Sequence, residues 1–233
     1  VLESGADVIC QLMPRTPKDS ARLVVEELPE LDYLVSVRVG TVLKFFRSGF
    51  DWTAIRLPDD VLRRLRGAER ELPRAPGHMA LSADDDRLVA VLAKDGRATA
   101  SDVAERIGVT PPTVKRRLDA LLAAGGLHVR TEISPALHGL RVEALTWLQV
   151  SPDRVEEVGE ALGRYPSVRF CAACTGATQL LVDCVVEDEH ALYRFLTEDV
   201  AALQVITAQT SVVLAAVRRG PMLVLEMGDV ADL

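Results

Sequence analysis

Between residues 82 and 126 the apolar positions recur at helical spacing in three short blocks. Ser82 is a good N-cap residue, and Asp84, Asp85 and Asp86 fall in the first turn, where the helix dipole favours anions. Leu88, Val89, Leu92 and Ala93 then form a stripe that ends at Asp95-Gly96. A second, shorter helix takes Thr99 or Ser101 as its cap, carries Val103, Ala104 and Ile107, and stops at Gly108. A third begins at Thr110 with Pro111 at its first position, where a missing N–H costs nothing. It sets Val114, Leu118, Leu121 and Leu122 on one face and stops at Gly125-Gly126. Three short helices, the last two joined by a tight glycine turn, predict a helix-turn-helix.

The period then changes from helical to alternating. Residues 142–150 read as a strand with apolar positions on both faces, and 153–164 as a helix presenting Val155, Val158 and Leu162. Residues 169–176 and 179–186 read as two strands joined by a turn at Thr175-Gly176-Ala177. A helix over 191–203 and a last strand over 205–217 complete the order β-α-β-β-α-β. This is the ferredoxin-like arrangement, with both helices on one face of an antiparallel sheet. Apolar residues on the other face predict that it is covered by dimerisation.

The N-terminal segment repeats the second half of that pattern. At a shift of 172, Leu23 falls on Phe195, Leu28 on Val200 and Leu31 on Leu203. With one residue removed, Val42, Leu43, Arg47 and Gly49 fall on the identical Val213, Leu214, Arg218 and Gly220. The expected fold class is therefore α+β, a helix-turn-helix domain plus a ferredoxin-like βαββαβ domain, preceded by a partial second copy of the latter. The expected boundaries are 1–50 for the C-terminal part of a first βαββαβ domain and 51–80 for a linker with a short helix at 58–69. The helix-turn-helix occupies 81–133, the βαββαβ domain 134–222 and a C-terminal tail 223–233. By the repeat arithmetic, a chain that starts with Val1 inside a first copy leaves roughly ninety residues upstream.

Composition narrows the chemistry. The chain has 233 residues, 48% of them hydrophobic, so it has material for two modest cores, and its longest apolar runs are too short to span a bilayer. No secretory signal pattern is present, and four cysteines are too few for a disulfide scaffold, which fits a cytoplasmic setting. The net charge of −7 lies wholly in residues 141–233, which hold seven Lys or Arg against fourteen Asp or Glu, while residues 1–140 are balanced. An acidic chain binds DNA through one locally basic element, and the third helix supplies it. At 100° per residue Arg116 and Pro112 point away from Val114 and Leu118, with Thr113, Lys115 and Arg117 on the flanks. The candidate DNA-binding residues are accordingly Thr110, Pro112, Thr113, Lys115, Arg116 and Arg117, arginine to read guanine edges and lysine or threonine to hold phosphates. Cys171 and Cys174 fall on opposite faces of a strand and the four histidines are scattered, so no metal site is expected. No phosphate loop, nucleophile elbow or paired catalytic carboxylates appear, and no cofactor is expected.

These residues resemble the Lrp/AsnC family of bacterial and archaeal transcription regulators. Residues 81–97 resemble its opening helix, 102–127 its helix-turn-helix, 137–150 its entry into the effector domain, and 175–186 its turn between second and third strands. The tandem arrangement is similar to double-unit members of the family. The resemblance implies a sequence-specific regulator of double-stranded DNA that is not an enzyme. It implies dimers or higher even oligomers built by sheet-to-sheet packing, and a small-molecule effector, typically an amino acid. It places the effector near Thr175, Gly176, Thr178 and Gln179, with Asp7 in the first copy. The family turn carries Gly-x-x-Asp; Gly176 matches, but Gln179 stands at the Asp position, and in the first copy Asp7 is present while Ser4 replaces the glycine. A siroheme-decarboxylase-like enzyme on the same fold, or a ligand sensor without DNA binding, are the alternatives. Against the enzyme, the turn lacks a histidine and the basic helix is kept.

Overall fold

The computed structural model describes residues 8–12, 14, 16–49, 52–54, 60–61, 81–124, 127, 133–219 and 222–227. They divide into two units: residues 8–61 join 134–213 in one, and 81–133 join 214–227 in the other.

The first unit is built on a five-stranded sheet. Its strands are β1 (Val42–Arg47), β2 (Val142–Gln149), β3 (Val168–Cys174), β4 (Leu180–Val186) and β5 (Thr207–Val212), in spatial order β1-β3-β4-β2-β5 with every pairing antiparallel. Two helices of this unit cover one face. Residues Val155–Arg164 contribute Val158 and Leu162, and residues Glu189–Arg194, prolonged by a π-helical turn over Phe195–Val200, contribute Ala191, Leu192, Phe195 and Val200. These pack on Ala144, Leu148, Cys171, Leu180, Val182 and Cys184, and each large apolar side chain so buried stabilises by about 1.5–3 kcal/mol. Burial pushes the Cys171 and Cys184 thiols up to about 12, which makes them inert core residues. The order β-α-β-β-α-β is as expected. The expected last strand over 205–217 is instead broken: β5 ends at Val212, and a new strand, β6 (Ala215–Arg219), pairs with β7 (Met222–Met227) in a separate two-stranded sheet. The region expected as a tail from 223 thus contains most of a strand.

The opposite sheet face carries buried Leu145, Ala172 and Val185 beside a buried ionic cluster. Arg169 sits at a bulge in β3 and binds Asp183 and Glu143, with all three side chains 11–15% exposed. Burial pulls the guanidinium pKa down, but the two carboxylates outweigh it and the net direction is up. Trp52 lies 6.0 Å from the same guanidinium, and its indole N–H donates to the Pro166 carbonyl.

The addition of β1 to this sheet was not foreseen. It lies on the outer edge of β3, with Phe45 opposite Ala172 and Arg47 opposite Cys171. The Phe46 ring lies over Gly159, where an added Cβ would sit 2.3 Å from it, and the Phe46 carbonyl oxygen lies 3.1 Å from where a Cβ of Gly163 would be. Arg47 donates to the carbonyls of Gly163 and Tyr165 at 3.1 and 2.8 Å, and Lys44 pairs with Glu156. Ahead of β1 runs a helix, α1 (Pro17–Arg22), capped by Thr16 and continued by a π-helical turn over Leu23–Glu27. It contains no buried residue. Among residues 8–12 no strand forms, although a strand was expected there, and Val35, Val37 and Val39 are exposed in an unpaired segment. Strand pairing needs a neighbouring strand, and these residues have none among those described.

In the second unit α2 (Ala83–Leu92), α3 (Ala100–Ile107) and α4 (Pro111–Ala123) follow the expected helices closely. Their core is Leu88, Val103, Ala104, Ile107, Val114 and Leu121. Gly108 ends α3 at φ 72°, the left-handed conformation that makes the turn tight. The remaining helices of the first unit are α5 (Val155–Arg164) and α6 (Glu189–Arg194). Most of the short helix expected at 58–69 lies outside the described residues. No described helix is long and apolar enough to cross a membrane.

Phe46 and Gly159 give a direct test of edge closure. Phe46→Ala should cost about 2–3 kcal/mol in urea denaturation, less than a fully buried Phe truncation because the ring is half-buried. Gly159→Val should expel the strand, read as rapid amide exchange over 42–47 with the amides of α4 unchanged.

Candidate nucleic-acid interface and ligand turn

The two leading helices of the helix-turn-helix are closed at their N-termini by carboxylates, and the third is not. In α2 the Ser82 hydroxyl accepts from the Asp85 N–H while the Asp85 carboxylate accepts from the Ser82 N–H; Thr99 and Asp102 do the same for α3. α4 has no acidic residue in its first turn, and the Thr110 side chain makes no cap; its hydroxyl lies 2.9 Å from that of Thr113 instead. The positive end of the α4 dipole is therefore not closed by a carboxylate, while Pro111 and Pro112 carry no N–H and the Thr113 N–H is taken by the Thr110 carbonyl.

Along α4 the predicted basic residues separate into two kinds. Lys115 and Arg116 are exposed, as are Thr110 and Pro112, while Thr113 is half-buried. Arg117 turns back on its own unit. Its guanidinium donates to Asp84 at 2.8 Å, to Asp85 at 3.1 Å and to the Ser82 hydroxyl at 3.0 Å, with its side chain 27% exposed. Asp84 is shared with Arg87, which also donates to the Ile107 carbonyl. Arg117 thus ties the start of α2 to the middle of α4, and a guanidinium already neutralised by two carboxylates offers little to phosphate. Its expected place among outward-facing DNA contacts is corrected on this geometry. Helical periodicity puts Lys115 and Arg117 at similar angles on either flank; only the position of α2 distinguishes them.

The turn between β3 and β4 holds the other candidates. Thr175, Gly176 and Ala177 are exposed, with Gly176 at φ 122°, and Thr178 and Gln179 are half-buried. Gln179 is committed to the scaffold: its side-chain oxygen accepts from the Val150 N–H at 3.1 Å, and its backbone bonds Cys174 and Leu148. Thr175 is held by the segment before β1, its N–H donating to the Thr41 carbonyl and its hydroxyl accepting from the Thr41 N–H, both at 2.9 Å. Thr41 was missed in the sequence because a contact across 134 residues leaves no local pattern. Asp7 lies outside the described residues. No cluster of metal-ligating side chains occurs among the described residues.

Arg117→Ala should lower the stability of this unit by about 1–2 kcal/mol, since hydrogen bonds to charged partners are lost from a partly shielded site. Lys115→Ala and Arg116→Ala should stay within about 0.5 kcal/mol of the parent. Thermal melts separate the two classes. Asp85 and Asp102 are both held below the ordinary carboxylate value of 3.8, Asp85 first by Ser82 and then Arg117, Asp102 by Thr99. Depressed carboxylates contribute stability above that value and lose it as the pH falls through the folded value. Melting temperature should hold down to pH 4 and fall below it, and Asp102→Asn should flatten that fall.

Family models match both parts of this architecture. The AsnC-type helix-turn-helix domain matches residues 81–122 and the Lrp/AsnC ligand binding domain residues 143–223, together more than half of the chain. An uncharacterized HTH-type transcriptional regulator of Pyrococcus horikoshii is 28% identical over 136 residues, covering 58% of this chain and 86% of the relative. The leucine-responsive regulatory protein of Rhizobium meliloti is 27% identical, covering 59% and 92%. Among solved structures, a transcriptional regulator of Neisseria meningitidis in complex with L-Met is 27% identical with TM-score 0.55, covering 60% of this chain and 94% of its own. The AsnC protein of E. coli shares the fold, at 19% identity and TM-score 0.56, covering 60% and 97%. A feast or famine regulatory protein of M. tuberculosis complexed with L-methionine matches at 24% identity and TM-score 0.56, covering 60% and 97%. None of these relatives carries an enzyme's name. With a helix-turn-helix and a ligand-binding βαββαβ domain of matching type in one polypeptide, the chain belongs to the Lrp/AsnC family of transcription regulators.

Proposed function

We propose that this regulator binds double-stranded DNA in the cytoplasm through the N-terminal half of α4. The observation that carries the reading is the contrast along that helix. Val114 and Leu121 are buried, Arg117 is pinned to α2, and Lys115 and Arg116 stand exposed beside an N-terminus that no carboxylate closes. In this arrangement Arg116 reads a base edge, Lys115 and the threonine hydroxyls hold phosphates, and Arg117 sets the helix's angle. Two such helices in a homodimer address two half-sites about one helical turn apart. The apolar patch of Leu145, Ala172 and Val185 beside the ionic cluster on the second face of the sheet supports pairing of that kind.

The effector assigned to the second domain is an amino acid or a close analogue. Methionine complexes among related structures support this class, and the turn at Thr175, Gly176, Thr178 and Gln179 is where we place it. Because the Gln179 oxygen is already engaged, its remaining NH2 favours the carboxylate end of such a ligand over its ammonium. The effector then acts by favouring one assembly geometry over another.

Selection of bound fragments from the host genome, followed by fluorescence anisotropy, tests the reading. Lys115→Ala and Arg116→Ala should each weaken binding roughly tenfold or more and lower the salt slope by about one for each phosphate contact removed. A double variant with native melting temperature and undiminished affinity would overturn the assignment of α4.

A further inference from the structure

The turn between β3 and β4 hangs from two anchors. On the β4 side Gln179 is tied to the end of β2: its N–H donates to the Leu148 carbonyl, and its side-chain oxygen accepts from the Val150 N–H. Its carbonyl closes the hairpin by accepting from the Cys174 N–H at 2.9 Å. On the β3 side Thr175 is tied to the segment that leads into β1. The Thr175 N–H donates to the Thr41 carbonyl, and the Thr175 hydroxyl accepts from the Thr41 N–H. Between the anchors Thr175, Gly176 and Ala177 are exposed and Gly176 stands at φ 122°, so the shape of the turn is set at its two ends.

The Thr41 anchor differs from the ladder it continues. Val42 pairs with Cys174 in the regular register; one residue further on, a side-chain hydroxyl takes the place of a backbone carbonyl as acceptor. A threonine hydroxyl has one donor and two lone pairs. With a lone pair given to the Thr41 N–H, its hydrogen is turned away from Thr41 and stays available to donate. Gly40 permits this approach, because a Cβ at residue 40 would sit 3.0 Å from the Thr175 carbonyl oxygen, inside ordinary van der Waals contact.

We propose that Gly40-Thr41 is a clamp that holds Thr175 in its ligand-binding position, so that effector binding at the β3–β4 turn and docking of β1 on the β3 edge strengthen each other. The proposal rests on the placement of an amino-acid effector at that turn. Thr41 is a positioning residue that acts through its backbone groups. The clamp prepares recognition of a carboxylate: the Thr175 O–H and the Gln179 NH2 are both donors, and the oxygen of each is engaged by the scaffold. The coupling is reciprocal: if docking of β1 raises effector affinity by some factor, the effector favours docking by the same factor. A strand 134 residues away in the chain thereby senses whether the turn is occupied.

The full-length protein tests this with L-methionine as the probe. Its binding is followed by the amide resonances of residues 175–179; no shift there overturns the effector placement, and the clamp with it. Gly159→Val, or separately Phe46→Asp, releases β1 by substitutions away from Thr41. Where the 42–47 amides exchange rapidly and those of β2 and β4 stay protected, the Kd for L-methionine should rise roughly tenfold or more. In the parent, saturating L-methionine should slow exchange at 42–47 by the same factor, beyond any change in β2 and β4. Gly40→Val should raise the Kd about fivefold or more while β1 stays protected, a separation that a purely structural role for the strand would not produce. Leu43→Ala, at an exposed position of the same strand, should change it by less than about twofold. Shifts at 175–179 together with an unchanged Kd after release of β1, or with unaltered exchange at 42–47 in the parent, overturn the clamp and leave the effector placement standing.

Discussion

A strand at the edge of a sheet leaves a row of N–H and C=O groups unpaired, and the first unit is organised around satisfying that row on β3. β1 does so from nearly a hundred residues before β2 in the chain. The ladder alone does not select this strand, since any extended segment offers the same backbone. Selection comes from the side chains: Phe46 fits only because Gly159 and Gly163 have no Cβ, and Arg47 satisfies two carbonyls at the end of α5. The same docking carries Thr41 to the Thr175 turn, so edge closure and the candidate ligand turn share their backbone hydrogen bonds.

Within the helix-turn-helix the governing interaction is electrostatic. Three aspartates crowd the first turn of α2, more than its dipole needs. Asp85 closes the capping box and accepts from Arg117; Asp84 accepts from Arg87 and Arg117. The acidic turn is therefore both cap and anchor. It fixes the angle of α4, the helix proposed to meet DNA, while committing one of its three consecutive cations to carboxylates of its own unit.

Periodicity made most of this legible. The three helices, their caps and the β-α-β-β-α-β order follow from apolar spacing, because those elements bury their own stripe against near neighbours. The exposure of Lys115 and Arg116 was readable for the same reason, Arg116 lying opposite Val114 and Lys115 on the flank. The parts that were not legible depend on distant partners. Arg117 looked outward until α2 was placed beside it; β1 looked like a strand of another sheet; the strand expected in residues 8–12 had no neighbour to pair with. The break at Leu214 was hidden as well, because it continues the apolar run of Val212 and Val213 while the last bond to β2 is made by the Val213 N–H.

Because β1 and β2 belong to one sheet, the helix-turn-helix lies on a closed excursion of the chain that starts and finishes at the same scaffold. That excursion has two covalent arms, one leaving β1 and one entering β2. Cutting the backbone anywhere between β1 and α2 would free one arm yet leave β1 gripped by Phe46, Arg47 and the β3 ladder, so the molecule should behave as two fragments that stay together without a covalent bond.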